Sequence, residues 1–530
     1  MPAEINKKRQ VITLMKKRII AIFTVIAYGC SILCAAMNYP SNVEKVLDNA
    51  GNNAEELRKV LEHYRNKEPE MFQAACFLIG NMGIHYGQSY HWENSVHQKI
   101  HFNEFEYPTY EMAVEKFNSL SQLQKLYPVK TYEQDLECIK AEYLIYNIDN
   151  AFALWKGKWA SKLSFETFCE YLLPYRIMDE PISDWREEYR TEFAPQWNKC
   201  EKYTVRQTCT SLCEDLKLWF ANIYDHEIRK EPQHVLSARQ ILFRRQGYCE
   251  DMANWGVYML RSKGIASCVD FTPFWATSTD GHFWQCAFDE TGKTIPFFMG
   301  DDTPAEFTMH REPSKVFRFT YSIRQETPAT HLPKDEIPEG ALRIPNLIDV
   351  TGEYWRVGNL HLTIPAKYNA YRAAYLCVLN GGKWQPVWWS WNMNGHIDFQ
   401  QMTCGVVYLP ICYERGRYIP AAPPQLLRPD GNVQELEPNK IHTRRIEIEE
   451  QKGFLQFRPE KRYTLYYWDT KHGKWILIKT KIPKLNNNGT FEPLIFENVP
   501  SNALMRLIPE YSQRKERPFT IDNNGKREWW

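Results

Sequence analysis

The sequence has little charge of either sign to spare. Its 530 residues carry 65 Lys and Arg against 64 Asp and Glu, a formal net charge of +1. Without a basic excess to displace counterions, a role centred on nucleic acid is excluded. It also lacks a phosphate-binding loop, a dinucleotide fingerprint and a His-Glu-x-x-His pair, so nucleotide and metallopeptidase chemistry have no motif to rest on. Cysteines are few, 14 in all, and show no dense spacing. Cys209 and Cys213 in TCTSLC have one histidine nearby, His226, but no second cysteine pair, too few ligands for a zinc site. Buried free thiols are the expectation for most of the others. No metal and no cofactor is expected. What is plentiful is aromatic: 18 Trp, 30 Tyr and 27 Phe. Nine tryptophans precede residue 300 and nine follow it, so the excess marks no single binding platform.

Long apolar runs are also missing, save IIAIFTVIAYG from Ile19 to Gly29. That is short of the ~20 residues a spanning helix needs. It follows six basic residues (Lys7, Lys8, Arg9, Lys16, Lys17, Arg18) and one acidic, Glu4. A basic stretch, a short apolar stretch and small residues form the pattern of an export signal. Met15 offers an alternative start. Cys30, after Ala-Tyr-Gly, resembles a loose bacterial lipoprotein box, which makes its thiol the candidate site of lipid attachment; plain cleavage after Ala36 is the alternative. The expected location is the outer membrane, by lipid anchor only, or the periplasm. Loss of residues 1–29 turns the net charge from +1 to about −4, so the apparent neutrality belongs to the leader.

Behind a leader at 1–36, residues 42–200 read as mainly helical. In NNAEELRKVLEHYR, Leu57, Val60, Leu61 and Tyr64 recur at helical spacing, and Pro174 ends FETFCEYLLPYRI. An α+β core is expected at 201–305 and a proline-rich connector at 306–345. Two β-sandwich-like modules follow, at 346–440 and 441–530, from short β-rich runs separated by glycine turns. WQPVWWSWNMNG, with Trp384, Trp388, Trp389 and Trp391, is either a sugar-stacking platform or a strand that sends adjacent tryptophans to opposite faces.

The chemistry concentrates in residues 244–302. Gly247 supports a tight turn, and Cys249 then opens a helix running to about Ser262, stopped by Gly264. A thiol there meets the positive end of the helix dipole and free N–H groups, which favour thiolate, while Glu250 and Asp251 oppose it. HFWQCAF then alternates as a strand, DETGK makes a hairpin turn, and TIPFFMGDD is expected to return as the next strand. His282 would open one strand while Asp301 ends the other; a bulge at Gly300 would promote Asp302 instead. Either carboxylate would fix the imidazole for the cysteine. Cys268 and Cys286 are expected to be packing residues.

Gly247-x-Cys249, Arg261-x-x-Gly264-Ile265, His282-x-Trp284 and a following Asp resemble the transglutaminase-like branch of the papain-type cysteine enzymes. Through FETFCEYLLPYRI, VVYLPICY and RPFTIDNNGKREWW the chain is similar to large exported Bacteroides-type transglutaminase-like proteins. The resemblance implies a papain/transglutaminase-like core in which Cys249 attacks an amide carbonyl, His282 moves the proton and Asp301 or Asp302 orients His282. The Cys249 N–H is an expected oxyanion donor and Gln246 a candidate partner, with Trp275 and Trp284 as cleft walls. The expected substrate is a peptide, protein or peptidoglycan-like amide, cleaved by water. Protein-glutamine acyl transfer is the second option. A non-catalytic surface protein holding glycan or protein through its β modules is the third.

Overall fold

The computed structural model describes residues 39–223, 235–513 and 515–530. The leader, Cys30 and His226 lie outside these residues. The class is α+β, with several separate sheets.

Helices Ser41–Asn49, Ala54–Tyr64, Pro69–Asn81 and Ala141–Trp155 bury their apolar faces together. Leu57, Val60, Leu61 and Tyr64 lie on that face, none more than 1% exposed, and the Tyr64 hydroxyl donates to Asp149 across the helix pair at 2.8 Å. The region is not helical throughout. A three-stranded antiparallel sheet, Lys99–Ile100, Tyr86–Glu93 and Tyr127–Gln134, interrupts it. Tyr86, Tyr90 and Trp92 alternate along the middle strand, a period-2 aromatic pattern that suits a strand better than a helix.

The central sheet is antiparallel throughout. In spatial order its strands are Leu347–Asp349, Phe317–Phe319, Ser267–Thr272, His282–Phe288 and Thr294–Phe297. The stretch expected as a connector therefore supplies one of its inner strands. FRF is too short a run, among prolines and polar residues, to announce itself. Both faces of the sheet are covered. Cys268, Cys286 and Phe288 point into the N-terminal helical core, and Val269 and Ala287 point into the core shared with the Cys249–Lys263 helix. Cys268 and Cys286 sit opposite each other as buried free thiols. The helix approaches closely at Gly256, where a Cβ would overlap Gln285. Gln285 uses that closeness: Nε2 donates to Met252 O at 2.8 Å and Oε1 accepts from Met299 N–H at 3.0 Å.

The far end of this helix is tied down by arginines. Arg261 donates to the carbonyls of Ser267, Pro174 and Arg176. Arg186, with no carboxylate partner among the described residues, donates to Asn147 and to the carbonyls of Leu172, Leu173 and Arg261. Arg176 pairs with Asp135, a carboxylate with no exposed surface. FETFCEYLLPYRI is thus a short helix, Phe165–Tyr171, followed by a carbonyl-rich turn that two buried guanidiniums read.

Two β units follow, each with two sheets. The first pairs Val357–Thr363 with His396–Thr403 against a sheet built around Ala373–Asn380 and Val406–Glu414. The second pairs Asn439–Ile448 with Leu494–Ser501 against a sheet built around Tyr463–Asp469. Lys315 anchors the first unit to the core: fully buried, it donates to Asp349 and to the carbonyls of Gln400 and Gln401. The tryptophan run forms no stacking platform. Trp389 is buried and donates to Glu326 O, Trp388 covers Lys315, Trp384 packs on Trp468, and Trp391 alone is exposed.

Candidate functional site

Cys249 is the first residue of its helix, and the turn that places it is built by Asp251. That carboxylate accepts from Tyr248 N–H at 2.9 Å and from Leu236 N–H at 2.8 Å, folding back over Gly247. A Cβ at Gly247 would overlap it, so glycine is required there. Gln246 and Gly247 pair in parallel with Ala221 and Asn222, fixing the approach. The Cys249 thiol is partly exposed and faces Glu250 Oε2 at 3.7 Å. The backbone N–H of Phe283, the residue after His282, also faces the sulfur. Burial first, then the charges of Glu250 and Asp251, push the thiol well above its ordinary pKa. The N–H groups of Phe283 and Glu250 pull the other way and lose.

His282 opens its strand opposite Thr272. Its ring lies among aromatics: Phe298 edge-on at 4.9 Å, Trp284 at 5.9 Å and Trp275 stacked at 6.3 Å. Burial, with Arg311 nearby, lowers its pKa to about 4, so the imidazole is neutral at pH 7. Among the described residues no hydrogen bond joins it to Cys249 or to a carboxylate. The thiol thus faces the peptide that follows His282, and both groups are uncharged.

Neither expected carboxylate reaches His282. The strand ends at Phe297. Phe298 O then accepts from the N–H groups of both Asp301 and Asp302, each at 2.9 Å, and Gly300 takes φ +81° to close this turn. Asp301 is exposed on it. Burial first, then Asp301 beside it, raises the pKa of Asp302, and the histidine near it is His310. The expected alternation assumed a strand continuing through Met299, but the left-handed glycine ends it early. Phe298 stands beside His282 instead, and its place in the apolar run PFF hid that role.

The remaining candidates separate. Trp284 has no exposed surface and donates through Nε1 to the Tyr354 hydroxyl at 3.1 Å. Tyr354 donates to Asp270 at 2.6 Å, and Asp270 accepts two bonds from Arg318. Trp284 is therefore a packing and network residue, not a cleft wall. Trp275 does flank the imidazole. Gln246 is half-buried, and its side chain makes no hydrogen bond among the described residues. Phe283 and Phe298 are the site residues that sequence reasoning did not single out for a role, whereas Glu250 opposes the thiolate as its place in the first turn implied. Among the described residues no group of three or more His, Cys, Asp or Glu is placed to hold a metal ion, and no helix is long and apolar enough to cross a membrane.

No protein-family model matches the chain, and no curated protein matches it.

Proposed function

We propose that the chain is an exported transglutaminase-like cysteine hydrolase of amide bonds, with Cys249 and His282 acting as a pair. What supports this is the Phe283 N–H at the Cys249 sulfur, which sets a helix-start thiol beside the strand that His282 opens. Both groups rest neutral, so the proton must move as the bond forms. His282 takes it from sulfur while sulfur attacks the carbonyl carbon, and returns it to the leaving amine. The Cys249 N–H at the helix start donates to the developing oxyanion. Water then attacks the thioester with His282 as base, releasing the acid and the free thiol. Phe298 in place of a carboxylate leaves the imidazolium without a partner, which makes this a slow hydrolase. The substrate class is a peptide, protein or peptidoglycan-like amide, and Cys30 is the proposed lipid anchor.

The test is stoichiometric acetylation by p-nitrophenyl acetate, located by peptide mass spectrometry. One acetyl group on Cys249, lost in His282→Ala, supports the pair. An unacetylated Cys249 in the folded protein sinks it. That outcome belongs to a second reading, a non-catalytic binding protein on the same scaffold, which the Phe298–His282 contact and the thiol's bond to Glu250 favour.

A further inference from the structure

On the face of the central sheet that carries Gln285, the rings of Phe271 and Phe283 stack in parallel, 4.9 Å between centroids. They wall a cavity of about 510 Å³, within the range of small-ligand sites. Phe274, Phe319 and Tyr86 supply further aromatic walls. Besides Tyr86, three ionisable or charged residues line this space, and two of them are engaged. His85 bonds Tyr321 O at 2.8 Å and, with its pKa lowered to about 4 by burial, is neutral. Arg343 spends its guanidinium on Ile337 O, through Nε and Nη2. The third, Asp179, accepts no hydrogen bond from another residue among those described, and only its own backbone N–H lies at its carboxylate. The charged groups around it are Glu180, Arg176 and Lys130. Of these, Arg176 is already paired with Asp135. Burial first, then Glu180, raises the Asp179 carboxyl above its ordinary pKa, against the opposing pull of Arg176 and Lys130.

Phe283 links this cavity to the thiol, because its ring forms a wall while its N–H faces Cys249. We infer that the cavity is a specificity site for a substrate side chain with an apolar stem and a cationic head, of the lysine or arginine kind. The stem lies among the phenylalanines, and the head meets the Asp179 carboxylate and the Tyr86 ring face. This inference takes Cys249 as the reacting group from the proposed function, but the pocket itself is testable without any reaction.

Calorimetric titration of the full chain with hexylammonium, and with hexanol as its uncharged counterpart, measures the pocket directly. Hexylammonium should bind at least tenfold more tightly than hexanol. Asp179→Asn should erase that preference while leaving hexanol unchanged, and Ala341→Phe, filling the cavity from its wall, should abolish both. The second variant keeps the test standing if the first does not fold. Equal binding of the two probes, a preference that survives D179N, or binding that survives A341F would overturn the inference. Hexylammonium bound as expected by a protein that p-nitrophenyl acetate never acylates would uphold the pocket and fail the hydrolase.

Discussion

The Cys249–Lys263 helix has two very different ends. At its last turn the guanidiniums are engaged: Arg261 and Arg186 share the carbonyls of Leu172, Leu173, Pro174 and Arg176, and Arg176 is locked to Asp135. Toward its first turns the opposite holds. Cys249 faces the peptide that follows His282, and among the described residues no hydrogen bond joins it to the imidazole. Asn254, with no exposed surface, leaves both side-chain polar atoms unpaired among the described residues. Asp179, across Phe283, accepts no hydrogen bond from another residue among those described. Saturated polar groups fix a fold; unsaturated ones in the same core raise its energy and are available to a substrate. One helix thus carries an anchored end and a reactive end.

The difference breaks most visibly at the anchored end. Asp135→Leu takes the carboxylate partner from the buried Arg176 guanidinium, and should cost about 3–5 kcal/mol in denaturant unfolding. A loss under about 1 kcal/mol would mean that the anchor is not holding the fold. Acid comes next. His85 and His282 fold with pKa values lowered to about 4, against about 6.5 in the unfolded chain. The unfolded state therefore takes up protons first as pH falls. Stability from both groups is complete above about pH 6.5 and drains away toward pH 4, on the order of 3 kcal/mol for the fully enclosed His85. Thermal unfolding followed across that window should show the slope, and His85→Gln should flatten it. An unchanged slope in H85Q would contradict the assignment.

At the reactive end, Phe298→Asp places a carboxylate against the imidazole. The His282 pKa should rise from about 4 toward its ordinary value in an NMR titration, and acetylation of Cys249 should quicken about tenfold or more. A variant with an unmoved titration would show that residue 298 does not govern the imidazole. The smallest effect is at Asn254. Asn254→Leu removes two unpaired buried polar atoms and should stabilise the protein by about 1–2 kcal/mol. Destabilisation of that size would show that the amide has partners after all.

Much of the reactive end was legible because it is local. A glycine turn, a thiol opening a helix, Gly264 at φ +97° closing it and a hairpin through DETGK all follow from neighbours in sequence. What escaped depends on residues far apart or on a single backbone angle. Gly300 turns the chain away one residue before period-2 reasoning delivers a carboxylate. The inner strand Phe317–Phe319 takes its place through pairing with Phe271 and Asp270, not through its own pattern. Asp179 stands out only once Phe271, Phe283 and Phe319 have been folded around it. The three-stranded sheet at 86–134 was readable in its alternating aromatics, but it is flanked by strong helices.

The most direct test of the reactive end is the pH dependence of Cys249 acetylation in the wild type and in His282→Ala. If His282 accepts the thiol proton as sulfur attacks, the wild-type rate should rise with an apparent pKa near 4 and hold level through neutrality. In His282→Ala that level phase should vanish, leaving only the slow rise of a thiol ionising at high pH. Superimposable profiles for the two proteins would contradict the pairing and leave Cys249 a thiol without a base.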